Sequence, residues 1–246
     1  MQITTVTITG ADDRVSVQDL ANMSNRFPNV EWGILFSRTW IGTPRYPSSE
    51  WINMLNMRSH VEGMRLSAHL CGEFSREIME QSNLNFLENL KGLFQRVQIN
   101  YSFEYECFDD PNRKWAFAPL ISWADENPEV SIIFQYNDKN KMALNDLLSR
   151  KYFPKNIHVL YDGSGGRGKE IQDIDPLMMP FHAHRTGYWG GISPENIDRV
   201  WNEITGIRFR DEVWIDMESG VRTDDRLDLS KVLAVLTYAD CKNFQQ

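Results

Sequence analysis

Short apolar runs recur about every thirty residues along this chain, separated mostly by stretches of helical periodicity, and that beat constrains the fold more than any other feature. Ile3 to Thr9 is the first run. A turn at Gly10 to Asp13 follows it, then a helix from about Val17 to Arg26 with Ser16 as N-cap. Glu31 to Phe36 is the second strand, and Ser48 or Ser49 can cap a helix from about Glu50 to His60. The remaining strands are Arg65 to Leu70, Arg96 to Asn100, Ser131 to Gln135, His158 to Asp162, Thr186 to Trp189 and Val213 to Asp216. Pro119 forces the stretch from Asn112 to Asn127 to begin irregularly. With no Ser/Pro linker or shift of composition, eight such units predict one domain over residues 1–246, a closed eight-stranded parallel β/α (TIM) barrel. A length of 246 residues matches that architecture.

Composition narrows the partners. At 41% hydrophobic and 24% charged, the chain can bury a large core. A net charge of -8 without a Lys/Arg cluster argues against nucleic acid. Neither an amino-terminal apolar segment nor a run long enough for a bilayer is visible, so no membrane is expected. Cys71, Cys107 and Cys241 are odd in number and lack CxxC spacing, which points to reduced thiols in a cytoplasm.

Alternation inside the strands locates a site. Val6 and Ile8 alternate with Thr5, Thr7 and Thr9, and Val97 and Ile99 with Gln98 and Asn100. If the apolar face packs under the helices, then Thr9, His69, Gln98, Asn100, Gln135, Asp162 and Asp216 share the interior near its carboxyl-terminal mouth. Any one of them is readily a satisfied core residue; seven together need bonds to each other, to water or to a ligand. Asp162 ends a strand and precedes the glycine-rich GSGGRGK, which makes it the first candidate. Two further loops follow strands seven and eight. Gly190-Gly191-Ile192-Ser193-Pro194 offers two glycines, a capping Ser and a Pro at the first helical position, and Ser219-Gly220 offers a second small-residue turn. Backbone amides there suit the phosphate of a small ligand.

The segments YDGSGGRGK, GYWGGISPENIDRV and WIDMESGVRTDD resemble, in order and spacing, the last three units of phosphoribosylanthranilate isomerase, a family of tryptophan biosynthesis. GILFSRTWIGTPRY and VTITGADDRVSVQDL resemble its second strand with the loop behind it and its first unit. The resemblance implies an Amadori-type rearrangement of a phosphorylated sugar. Asp162 would be the general acid, Arg45 the holder of a substrate carboxylate, and Gly190, Gly191, Ser219 and Gly220 the phosphate loops. The family's first strand ends in a cysteine that acts as base, where this chain has Thr9.

A threonine hydroxyl cannot replace a thiolate as base without a strong neighbouring base. Cys71 and His69, of matching parity at the mouth end of strand three, are the alternative bases, with Gln98, Asn100 and Asp216 left for substrate binding. Strand two, GILFS, lacks the His and Asp of a phosphopentose-epimerase metal site, and no strand ends in the lysine of a Schiff-base aldolase. Neither metal nor cofactor is expected. Two functions remain, a phosphosugar isomerase and a degenerate relative that binds a phosphorylated ligand without turnover. The longer loops Phe103 to Lys114 and Gln172 to Arg185 could cover the mouth or form an interface.

Overall fold

The computed structural model describes residues 2–103, 117–149, 152, 154–162, 186–206 and 212–244. Eight parallel strands close into a barrel in sequence order: β1 (Gln2–Thr9), β2 (Val30–Phe36), β3 (Leu66–Leu70), β4 (Arg96–Ile99), β5 (Ser131–Tyr136), β6 (Ile157–Asp162), β7 (Thr186–Trp189) and β8 (Glu212–Met217). Closure is made by β8 against β1, with Val6 opposite Ile215 and Ile8 opposite Met217. The TIM barrel expected from the strand beat is therefore present.

Helices α1 (Val17–Arg26), α2 (Ser49–Glu62), α3 (Glu73–Gln81), α4 (Asn85–Leu90), α5 (Phe117–Glu126), α6 (Lys141–Leu148), α7 (Ile197–Gly206) and α8 (Leu229–Phe244) accompany the strands. Local chemistry sets their starts. The Ser16 hydroxyl accepts from the Gln18 N–H, and Ser48, rather than Ser49, accepts from the Trp51 N–H. Pro119 is the third residue of α5, inside the first turn, where the N–H it lacks has no helical partner to lose. Ser193 O accepts from the Asn196 N–H at 3.2 Å and the Ile197 N–H at 3.0 Å, so the turn that holds Pro194 leads directly into α7.

Val6, Ile8, Val97 and Ile99 belong to the main core, where the apolar strand faces were expected. The lumen departs from the expectation of a polar interior, because only part of it is polar. Ile133, Leu160 and Trp214 form a separate buried cluster inside the barrel, with Trp189 packed on it. Gly187 makes room for it, since a Cβ there would stand 2.1 Å from Trp214 Cε2. Against this cluster lies an ionic floor. Glu31 accepts from Arg96 at 3.0 Å and from the Thr7 hydroxyl at 2.8 Å, and the Arg96 guanidinium lies 4.1 Å from the Trp214 ring centroid. The lumen thus holds an apolar cluster from β5, β6 and β8 together with an ionic floor from β1, β2 and β4, and polar residues such as Asp162 and Asp216 stand on β6 and β8 as well.

Candidate functional site

Above the Glu31–Arg96 floor, Asp216 on β8 is 2% exposed, and one of its carboxyl oxygens accepts from the Thr9 hydroxyl at 2.8 Å. The other faces His69 Nε2 of β3 across 3.9 Å. That gap is too long for a hydrogen bond. Gly33 on β2 is what lets these residues meet, because a Cβ there would stand 2.2 Å from Thr9 Oγ1 and 3.1 Å from His69 Cε1. Burial is the main cause that pushes the Asp216 carboxyl up, to about 8; Glu218 and Glu31 act in the same direction, while Thr9 and Arg96 oppose it. Burial, aided by the Arg96 charge, pulls the His69 imidazole down to about 3. At neutral pH the pair is therefore a protonated carboxyl facing a neutral imidazole, not an ion pair, and its proton lies within the pH range where enzymes work.

A chain of hydrogen bonds runs along the neighbouring wall. Gln98 Nε2 donates to Asn100 Oδ1 at 2.8 Å, and Asn100 Nδ2 donates to Cys71 Sγ at 3.2 Å. The Cys71 thiol is pushed up to about 11, chiefly by burial. It is a poor base at neutral pH, and its place is to anchor the amide chain. Asn100 lies one residue beyond the end of β4. Gln135 shares the lumen parity of Ile133, and its backbone carbonyl accepts from Asn140 Nδ2 at 3.1 Å.

Asp162 closes β6 at 1% exposure, two residues after Leu160 on the lumen side, and its register partner is Trp189. It therefore faces into the mouth. The glycine-rich loop behind it falls in 163–185, outside the described residues, as do 104–116 and with them nearly all of both long loops.

Arg45 follows β2 with a φ of 74° and is held at three points. Its guanidinium donates to Glu218 and to Asp225, each at 2.7 Å, and its N–H donates to Asp12 at 2.7 Å. Buried Arg222 joins the same network through the Gly10 carbonyl at 2.6 Å and Asp12 at 3.5 Å. Two acids thus already share the Arg45 guanidinium that a ligand carboxylate would have to reach.

After β7, Gly190 and Gly191 take φ values of 138° and 57°, conformations that glycine adopts without strain. Asn196 fastens the loop by accepting from the Ser193 N–H at 2.8 Å and donating to the Gly191 carbonyl at 2.9 Å. After β8, Ser219 and Gly220 begin a 3₁₀ turn ending at Val221. The two loops abut, for a Cβ on Gly220 would stand 2.0 Å from the Ile192 carbonyl oxygen.

Sequence reasoning placed Thr9, His69, Gln98, Asp162 and Asp216 on strand ends and did not pair them. It missed Glu31, Arg96, Trp214, Glu218 and the two lumen glycines. A glutamate inside the otherwise apolar VEWGILF was the available signal for the buried floor. Among the described residues no three His, Cys, Asp or Glu side chains converge as a metal set, and no helix is long and apolar enough to cross a membrane.

No protein-family model matches the chain. No curated protein matches it in sequence. Solved structures do. The phosphoribosylanthranilate isomerase of Thermotoga maritima aligns at 14% identity over 97% of this chain and 100% of that one, with a TM-score of 0.59. The N-(5'-phosphoribosyl)anthranilate isomerase of Pyrococcus furiosus aligns at 14% over 97% and 99%, with a TM-score of 0.57. A truncated 3-deoxy-D-arabino-heptulosonate 7-phosphate synthase of Thermotoga maritima aligns at 10% over 99% and 88%, with a TM-score of 0.55. At such identities the shared property is the TIM-barrel fold.

Proposed function

We propose that this barrel is an isomerase of a small phosphorylated sugar, working by acid–base proton transfer at the mouth. The observation that carries the reading is the buried Thr9–Asp216–His69 arrangement, with the Asp216 proton raised to about 8. Asp162, on β6 of the same mouth, is the acid that protonates the ring oxygen as the ring bond to C1 breaks, while the lone pair of the exocyclic nitrogen or oxygen on C1 forms the new double bond to C1. Asp216, once ionised, is the base that removes the proton from the adjacent carbon, leaving the electron pair in the enol. Thr9 does not replace a catalytic thiolate; its hydroxyl holds the carboxyl that does the work. The abutting loops at Gly190-Gly191 and Ser219-Gly220 receive the phosphate, which backbone N–H groups of such glycine turns suit.

Turnover of phosphoribosylanthranilate and of D-ribose 5-phosphate tests this. Asp162→Asn is expected to lower the rate by about 10²–10⁴-fold. The wild-type rate should rise with pH and level off above about 8, the ionisation of Asp216, and Asp216→Asn should abolish both the rise and most of the rate. Absence of turnover above background on phosphorylated aldoses would sink the enzyme.

A second reading is favoured by one observation, that Arg45 already carries Glu218 and Asp225. In it the barrel binds a phosphorylated ligand without converting it. Asp162→Asn would then change affinity modestly, and no product would form.

A further inference from the structure

Two buried atoms at the mouth meet no partner among the described residues: His69 Nε2 and Gln98 Oε1. The two residues are 2% and 3% exposed, and they stand on neighbouring strands as register partners. Strand spacing places the two about 4.8 Å apart at the backbone, with both side chains directed into the lumen. A buried acceptor without a donor is costly, and native structures seldom leave one without a reason. Gln98 is not free to turn and hide its oxygen. Its amide nitrogen is spent on Asn100, which Cys71 anchors in turn, so the oxygen is the atom left over.

The third member is the Asp216 oxygen 3.9 Å from His69 Nε2. Set to one side of the line between them, a single hydroxyl oxygen lies within hydrogen-bond reach of both. It accepts from the protonated carboxyl and donates to the neutral imidazole. A second hydroxyl on the adjacent carbon then donates to Gln98 Oε1. We infer that the wall formed by Asp216, His69 and Gln98 is a subsite for two adjacent hydroxyl groups, so that the ligand is a sugar with an intact vicinal diol rather than a deoxysugar. Glu31 Oε2 and Ser67 Oγ, also buried without a partner among the described residues, extend the polar wall downward. Gln98 is a specificity-determining residue in this arrangement, and Asn100 and Cys71 position it.

The inference rests on the phosphosugar reading of the same site, and ligand discrimination separates the two. Calorimetric titration of the wild type with D-ribose 5-phosphate and with 2-deoxy-D-ribose 5-phosphate compares ligands that differ by the one hydroxyl that completes a vicinal pair on the ring. The ribose compound should bind about 10- to 100-fold more tightly, the usual consequence of leaving a buried acceptor unpaired. Gln98→Leu should bring that ratio close to one by weakening the ribose compound alone. Equal wild-type affinities, or binding of neither compound, would overturn the inference. A preserved ratio without any isomer formed sinks only the proposed catalysis; isomer formed with a ratio near one sinks only the diol subsite.

Discussion

Threonine 9 illustrates how little a residue's identity says before its neighbours are known. Taken alone it is a hydroxyl where a thiolate base would stand; in the folded barrel it is a donor, 2.8 Å from an Asp216 oxygen, and it opposes the burial that raises that carboxyl. Thr9→Val keeps the shape and removes the donor. The midpoint of the pH–rate curve should then move above 8, because the ionised carboxylate loses the hydrogen bond that favoured it, and stability should fall by about 1 kcal/mol. An unchanged midpoint would mean that the titrating group is not Asp216. Cys71 is the converse case. Its position at the mouth invites a catalytic reading, yet burial holds it as a thiol up to about 11.

At the scale of elements, strand alternation and serine caps were legible because both are local: one depends on a two-residue period, the other on a side chain reaching the next turn. The composition of the lumen was not. Trp214 enters it only because Gly187, on the neighbouring strand, has no side chain, and Glu31 is tolerated there only because Arg96 from β4 answers it. The loops after β7 and β8 were readable as two glycine turns, but not as one surface. Their contact predicts that Gly220→Ala, whose methyl meets the Ile192 carbonyl oxygen, forces them apart. Affinity for a phosphorylated ligand should drop at least tenfold, and stability by about 1–3 kcal/mol. A variant with wild-type affinity would remove the phosphate from these loops.

For the whole molecule, the Asp216–His69 pair ties stability to pH. The folded carboxyl titrates near 8 and an unfolded aspartate near 3.8, so between these values the native state holds the extra proton and stability falls as pH rises. The folded imidazole titrates near 3 and an unfolded one near 6.5, so stability falls as pH drops through that window. From about pH 4 to 6.5 the two slopes cancel, leaving a plateau with a decline on either side. Asp216→Asn abolishes the alkaline decline. Its advantage over the wild type should grow by up to about 1.4 kcal/mol per pH unit between 6.5 and 8 in denaturant melts. A constant difference across that range would mean that Asp216 is already ionised in the fold.

The sequence by itself determined the barrel, because strand period, caps and the repeat of βα units are each written within a few residues of one another. It also determined that polar groups gather at the carboxyl-terminal mouth. Only the tertiary structure decided which of them meet: Thr9 and Asp216 are 207 residues apart in sequence and become neighbours through barrel closure. Distance, burial and the proton affinity of a carboxyl are properties of that closure, and no local pattern encodes them.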